Sequence, residues 1–552
     1  MIVESRPYFS LILLCLALYL PGLAAVPALD RDEARFAQST RQMLEAGDFI
    51  RIRFQDTSRH RKPAGIHWLQ AAAVITLSDQ ATPAIWPYRL PSVTGALAAV
   101  LLTFYFGQVL FDRRTALLSA TLLAGTLMLV MEAHQAKTDA VLLACVVAAQ
   151  GALACLYCQT SPSPSPYSSP FPTLGTALTF WLAQGVGVMV KGPIVAVVSG
   201  LTIAGLWVWE QSRPYWLTGL QPIVGMPFIA ALVVPWFTAI SCATSGAFIS
   251  EAVQIDLLPK ILGAQESHGA LPGYFLLLAS LTFWPASLFL WPALAYAWRR
   301  RAVPAVRFCL AWIGPGWLLF ETVPTKLPHY VLPIYPALAL LVADALLARQ
   351  GESYSLLASR RAYFWYGTWA ILTTVLVSVF LAAPMVFSRE ANLWGALLAG
   401  ALEATAWLAV WLAWRRQFLR AMATAVICGG IAFTLMFAVF IPSLDSLWLS
   451  RQVHALLSQE HAQAVIAAGY HEPSLVFMLG TDTILSDGRG AAISLIAMTS
   501  AVAVISREED EAFQQALARY GLRSEQLFTV HGLNYSRGCR ERLRIYRAVP
   551  VQ

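Results

Sequence analysis

The sequence predicts an all-α polytopic membrane protein that ends in a small soluble α/β domain, and three observations carry that reading. Apolar residues make up 57% of the 552-residue chain and charged residues only 12%; a soluble fold cannot bury so much apolar surface, because large chains divide into modest cores. The apolar residues gather into runs of about twenty, the length a helix needs to cross a bilayer core. Past Pro442 the charge density becomes ordinary, which divides the chain into a membrane part, 1–442, and a C-terminal domain, 443–552.

Apolar runs near 8–29, 88–111, 115–131, 140–158, 174–190, 193–209, 222–241, 273–297, 308–321, 331–348, 363–387, 393–413 and 421–441 predict thirteen membrane helices. The first resembles a secretory signal, but it lacks a small-x-small cleavage site and is long enough to span, so it is read as retained. With the N-terminus cytoplasmic, alternate loops carry Arg113 and Arg114, Arg213, Arg299 to Arg301, Arg360 and Arg361, and Arg415 and Arg416. That is the basic excess expected on the inner side. The net charge of +7 is spread over these loops, which reads as topology and excludes a nucleic-acid-binding face. The proline-rich run 161–172 is a cytoplasmic linker. In the C-terminal domain, alternation over Ser474 to Leu479 and Ala501 to Ile505 predicts strands, and Glu508 to Tyr520 predicts a helix. The pair Cys155 and Cys158 has metal-site spacing but lies in an apolar run, so it reads as packing.

The stretch 30–62 interrupts this pattern. It packs fourteen charged residues into thirty-three positions, eight basic and six acidic, and it falls on the outer side, against the positive-inside bias. Such a basic cluster points to a bound anion. Within the first outer loop, 30–87, Phe36, Ala37, Met43 and Leu44 recur at helical spacing and Gly47 ends the pattern, which predicts an interfacial helix. A second helix is expected from Lys62 and Pro63, since proline suits the first helical position and the helix start favours a phosphate.

The segments DEARFAQSTRQMLEAGDF, RKPAGIHWLQ, TDAVLLA, MVKGP and KLPHYVLPIYPALAL follow in order along the first ten helices. Together they resemble the polyprenyl-phosphate-dependent glycosyltransferases of the protein mannosyltransferase and lipid A aminoarabinose transferase group, with the C-type glycosyltransferase fold. The resemblance implies about thirteen membrane helices, a periplasmic C-terminal domain and a bacterial inner-membrane location. It also implies inverting transfer of a sugar from undecaprenyl phosphate to lipid A or another envelope acceptor. Asp32 matches the group's first-loop aspartate, as general base or as the group that positions a phosphate acceptor; capping a helix is its bland alternative. Asp139 matches the second-loop aspartate, with helix N-capping the alternative. Lys62 matches a lysine that contacts the donor phosphate, against a snorkelling lysine. Arg59, His60 and Arg61 replace the group's Tyr-Phe-Glu, and Arg61 takes a donor-phosphate contact in that reading. Lys191, close to hydrocarbon, needs a partner or a path to water. Lys260 falls on a phosphate-gripping arginine, while Lys326 and Tyr330 match a further phosphate-binding motif. Leu257 stands where the group has a histidine, which leaves only Asp256 and His268 as candidate ligands for a zinc ion, too few to define a site. Two other readings stand beside this one, a protein O-mannosyltransferase-like enzyme and a lipid-linked sugar flippase.

Overall fold

The computed structural model describes residues 6–78, 84–159, 173–257, 271–348, 351–387, 392–460, 462, 464–498 and 500–550. Helices occupy every one of the thirteen apolar stretches. Seven of the described helices are long and apolar enough to cross a membrane, or eight if Arg113–Ala124 and Leu127–Ala133, bent by 61°, form one broken span. Three of the others fall short for local reasons. The first helix, Pro7–Tyr19, runs into Pro21 and Gly22, and Ile194–Glu210 has 17 residues. The expected helix 273–297 is broken near Pro285 into Tyr274–Thr282 and Leu290–Arg299.

The helix Asp139–Gln159 is the hub, with 89% of its central window enclosed by protein, against 17% for Pro222–Ala243. It lies directly on Trp86–Leu110, and two glycines permit the approach. A Cβ at Gly95 would stand 2.7 Å from the Val141 backbone, and one at Gly151 would overlap the Phe106 ring. Small residues let membrane helices approach in this way.

The described part of the segment 30–87 folds largely as expected. Asp32–Ala46 is a helix that buries Phe36, Ala37 and Met43 and ends at Gly47 in the left-handed region, φ 63°. A short hairpin follows, β1 (Arg53–Phe54) and β2 (Thr57–Ser58). The second helix, Gly65–Leu77, starts later than expected, capped by Ala64; Pro63 precedes the helix and does not open it.

One buried ion pair organises this region. Arg89, on Trp86–Leu110, is fully buried and donates all five guanidinium hydrogens: to Glu33 Oε1 (2.8 Å) and Oε2 (2.9 Å), and to the carbonyls of Leu23 (2.7 Å), Val26 (2.7 Å) and Pro27 (2.9 Å). Glu33 also accepts from the backbone N–H groups of Leu29 (2.8 Å) and Ala136 (2.7 Å).

The C-terminal part is a five-stranded mixed sheet in the order β4-β3-β5-β7-β6, formed by β3 (Ala464–Ala468), β4 (Ile484–Ser486), β5 (Ala501–Ser506), β6 (Leu522–Asn534) and β7 (Cys539–Pro550). The β3–β4 and β3–β5 pairs are parallel, the β5–β7 and β6–β7 pairs antiparallel. Strand β5 is buried on both faces: Ala501, Ala503 and Ile505 enter one core, Val502 and Val504 the other. The expected helix at 508–520 is Asp510–Arg519. The expected strand at 474–479 is a helix, Pro473–Leu479, because Leu475 to Leu479 is a continuous apolar run and Pro473 sits at the helix start.

This sheet unit rests on the segment that follows the first helix. Asp30 lies at the junction, where burial raises its pKa to about 6, with Glu472 adding to the rise and hydrogen bonds from Ser474 and Tyr535 opposing it.

Replacement of Arg89 by Leu leaves a buried carboxylate without its partner and is expected to cost about 3–5 kcal/mol, read as a lower thermal unfolding midpoint in detergent. Folding takes up a proton at Asp30 between its ordinary value of 3.8 and about 6, so its carboxylate lowers stability progressively as pH rises through that window. Asp30→Asn is therefore expected to be more stable than the native chain at pH 8, by up to about 3 kcal/mol, and the difference should vanish as pH falls below the ordinary value of 3.8.

Candidate active site

Five segments converge at the end of the helical bundle that faces the sheet unit, among them the end of the helix Thr173–Lys191, which brings Lys191. The first turn of Asp32–Ala46 brings Asp32, and the stretch after β2 brings Arg59. The break between Leu127–Ala133 and Asp139–Gln159 brings Glu132, Lys137 and Asp139, and the start of the span Pro328–Leu347 brings His329 and Tyr330.

Charges of both signs alternate across this cluster. Asp139 Oδ1 accepts from Lys191 Nζ at 2.5 Å, and Lys137 Nζ lies 3.1 Å from Glu132 Oε1. His329 bridges the two pairs, with Nδ1 3.8 Å from Glu132 and Nε2 3.7 Å from Asp139. The Tyr330 ring packs edge-on to His329 and lies 5.9 Å from Lys191 Nζ. The partner that Lys191 required so close to hydrocarbon is thus Asp139. Asp139 opens its helix, but it spends its carboxylate on Lys191.

Asp32 presents the open edge of the cluster. Its side chain is 60% exposed and lies 3.9 Å from Arg59 Nη2. Desolvation opposes ionisation, but the charges of Arg59, Lys137 and Arg35 outweigh it and hold the Asp32 carboxyl below its ordinary value. Asp32 is therefore an anion at neutral pH and makes no side-chain cap: the N-cap position belongs to Arg31. Arg59 is held over the Phe36 ring at 4.6 Å. Burial works against the Lys137 ammonium, yet Glu132 and Asp139 raise its pKa above that of ordinary lysine.

Of the other residues expected in the site, Lys62 is half-buried and Arg61 exposed, both in the turn from Arg59 into Gly65–Leu77. Lys326 is a correction. Its ammonium is buried and donates to the carbonyls of Glu321 (2.6 Å), Val323 (2.9 Å) and Phe320 (3.4 Å), so it caps the end of Pro304–Thr322 and offers no hydrogen to a ligand. Lys260 and His268 lie outside the described residues, as does the side chain of Asp256. Among the described residues no three His, Cys, Asp or Glu side chains gather as a metal site, so the zinc expectation finds no ligand set there. Sequence reasoning missed Glu132 and His329. The available signal was their position: each is an ionisable residue at the end of an apolar helix in a chain with few charges.

Residues 8–247 match the family model described as dolichyl-phosphate-mannose-protein mannosyltransferase. The chain is 27% identical over 417 residues to the undecaprenyl phosphate-alpha-4-amino-4-deoxy-L-arabinose arabinosyl transferase of Erwinia tasmaniensis, covering 72% of each protein. It is 25% identical over 441 residues to the protein of the same description from Pseudomonas paraeruginosa, covering 79% of this chain and 76% of that one. The crystal structure of ArnT from Cupriavidus metallidurans bound to undecaprenyl phosphate superposes with a TM-score of 0.73 at 18% identity, over 98% of this chain and 97% of that one. The chain is similar to these membrane glycosyltransferases. The shared fold extends through the C-terminal sheet, since the superposition leaves almost none of either chain uncovered.

Because Lys326 is occupied by backbone carbonyls, Lys326→Met is expected to lower the unfolding midpoint while leaving affinity for a polyprenyl phosphate within about twofold. A tenfold loss of affinity at unchanged stability would restore it to the phosphate site.

Proposed function

We propose that this chain transfers a sugar from a polyprenyl phosphate, undecaprenyl phosphate in a bacterial inner membrane, to lipid A on the periplasmic side. The observation that carries this reading is the cluster of Asp32, Arg59, Lys137, Asp139, Lys191 and His329 at the ends of membrane-length helices, where a lipid-borne phosphate and a water-borne acceptor can meet. The N-terminus is then cytoplasmic, all thirteen apolar helices form the membrane part, and residues 443–552 form a periplasmic domain.

In this reading an acceptor oxygen attacks the anomeric carbon and the bond from that carbon to the phosphate oxygen breaks. The electron pair leaves with the polyprenyl phosphate, and the anomeric configuration inverts. The leaving phosphate gains charge, and cations aimed at such a charge are a large catalytic contribution. Lys62 and Arg61 take that role, with Tyr330 and Lys260 as further phosphate contacts. Asp32, held ionised, faces the positive charge that develops on the sugar ring. Asp139 orients Lys191 and His329.

The acceptor follows from the same electrostatics. A carboxylate whose pKa is held low is a weak base toward a sugar or serine hydroxyl, whereas a phosphate acceptor arrives already ionised. That favours the phosphates of lipid A over a protein hydroxyl. It also fits a donor such as the aminoarabinose carried by the relatives. A flippase would place its ionisable groups near the bilayer midplane, and here they stand at helix ends.

Purified protein given a labelled polyprenyl-phosphate aminopentose and lipid A is expected to release free polyprenyl phosphate and a glycosylated lipid A. Asp32→Asn and Lys62→Ala should remain folded and lose at least about 100-fold in turnover. Passage of intact donor between leaflets without cleavage would replace this reading with the flippase.

A further inference from the structure

The turn between β6 and β7 touches the two residues that precede Asp32. The backbone N–H of Asp30 donates to Tyr535 Oη at 2.6 Å, and Arg31 Nη2 donates to the Ser536 carbonyl at 2.5 Å. From a neighbouring element of the same sheet unit, Ser474 N–H donates to Asp30 Oδ1 at 3.1 Å. The turn is itself held in place: Asn534 Nδ2 donates to Glu472 Oε1 at 2.9 Å, Arg537 N–H donates to Asn534 Oδ1 at 3.1 Å, and the Tyr535 ring packs edge-on to Trp448.

These contacts fall where the backbone needs them. Arg31 has φ 65° and ψ −107°, a left-handed φ that is unfavourable for a residue with a Cβ and persists only where the surroundings over-determine it. Arg31 is also the N-cap of the helix that begins with Asp32, so its φ and ψ set the direction in which that helix leaves. On the far side of Asp32, Glu33 is fixed by Arg89 and by the Ala136 N–H. The carboxylate of Asp32 is thus suspended between two clamps, one in the helical bundle and one in the C-terminal unit.

We propose that the C-terminal domain positions Asp32 for sugar transfer through its β6–β7 turn, with Tyr535 as the positioning residue. This rests on the transfer reading above and gives the domain a part in the reaction. Tyr535 touches no reacting atom. It completes the bond that holds Asp30, and through the Arg31 backbone it sets where Asp32 points. Displacing a reacting group by an ångström costs up to about 100-fold in rate, so one missing bond at this hinge is enough to register.

The test is Tyr535→Phe, alone and combined with Asp32→Asn. The single variant is expected to lose about tenfold in kcat with the donor KM within about twofold, and to add no further loss in the Asp32→Asn background. Equal fractional losses in both backgrounds would mark a general effect on folding and overturn the proposal. Backbone hydrogen exchange supplies a readout that needs no turnover: amides 30–34 should exchange faster in Tyr535→Phe while those of Asp139–Gln159 stay protected. Unchanged protection at 30–34 overturns the proposal whether or not the chain transfers sugar. An inactive native chain whose variant does show that faster exchange would count against the transfer reading and uphold the clamp.

Discussion

The arrangement of the candidate site depends on Arg89 and Glu33. Five donors on one side chain meet five acceptors, and the two oxygens of Glu33 accept four bonds between them. Through these bonds the chain leaving the first helix, the helix that begins with Asp32 and the loop that carries Lys137 all refer to one point on Trp86–Leu110. A lysine could not take the place of Arg89, because an ammonium offers three hydrogens and no planar fork. Desolvating the pair is costly, and such pairs are better explained by the specificity of what they hold than by net stability. Here they hold in register two of the segments that form the site, the helix that begins with Asp32 and the loop that carries Lys137.

The site itself solves a related problem with the opposite outcome. Lys137, Lys191, Glu132 and Asp139 stand where apolar helices end, and each is matched by an opposite charge within 3.1 Å. Pairing makes the charges affordable near hydrocarbon, yet it leaves them labile, since an incoming phosphate can share a cation that a carboxylate already holds. Asp32 is the exception. It is mostly exposed, its nearest cation is 3.9 Å away, and it keeps its charge through the field of several cations. A paired interior with one open carboxylate at its rim is suited to a reaction in which charge passes from a sugar to a departing phosphate.

Much of this was legible in the sequence for physical reasons. The bilayer demands long apolar runs, so the thirteen helical stretches could be counted, and the scarcity of charge made Asp32, Asp139 and Lys191 conspicuous. The helix Asp32–Ala46 followed from its spacing and from Gly47. What could not be read was convergence over long separations. Nothing local to Arg89 names Glu33 as its partner, although a lone arginine inside an apolar span required one. His329 and Glu132 meet across some two hundred residues, and Lys326 resembles a ligand contact until the carbonyls it caps are seen. Short elements failed for another reason: at 474–479 the apolar run fits strand and helix alike, and only Pro473 favours the helix.

The replacement of Tyr-Phe-Glu by Arg59, His60 and Arg61 now has a physical account in two of its three positions. Arg59 lies over Phe36 and beside Asp32, so the substitution adds a cation to the carboxylate it helps keep ionised. His60 is buried with Nδ1 3.1 Å from Glu251 Oε2 and packs edge-on to Phe248. A carboxylate therefore still stands beside this segment, but it is carried by the helix Ala247–Glu251 and turned toward a histidine. The segment itself is left with three basic residues, Arg59, Arg61 and Lys62, in four positions. That balance disfavours a metal cation held by the segment and favours an anion, because each added positive charge raises the cost of binding a second cation and lowers that of binding a phosphate. The departure from the resemblance thus sharpens the phosphate reading of this loop while removing the residue on which a metal would have depended.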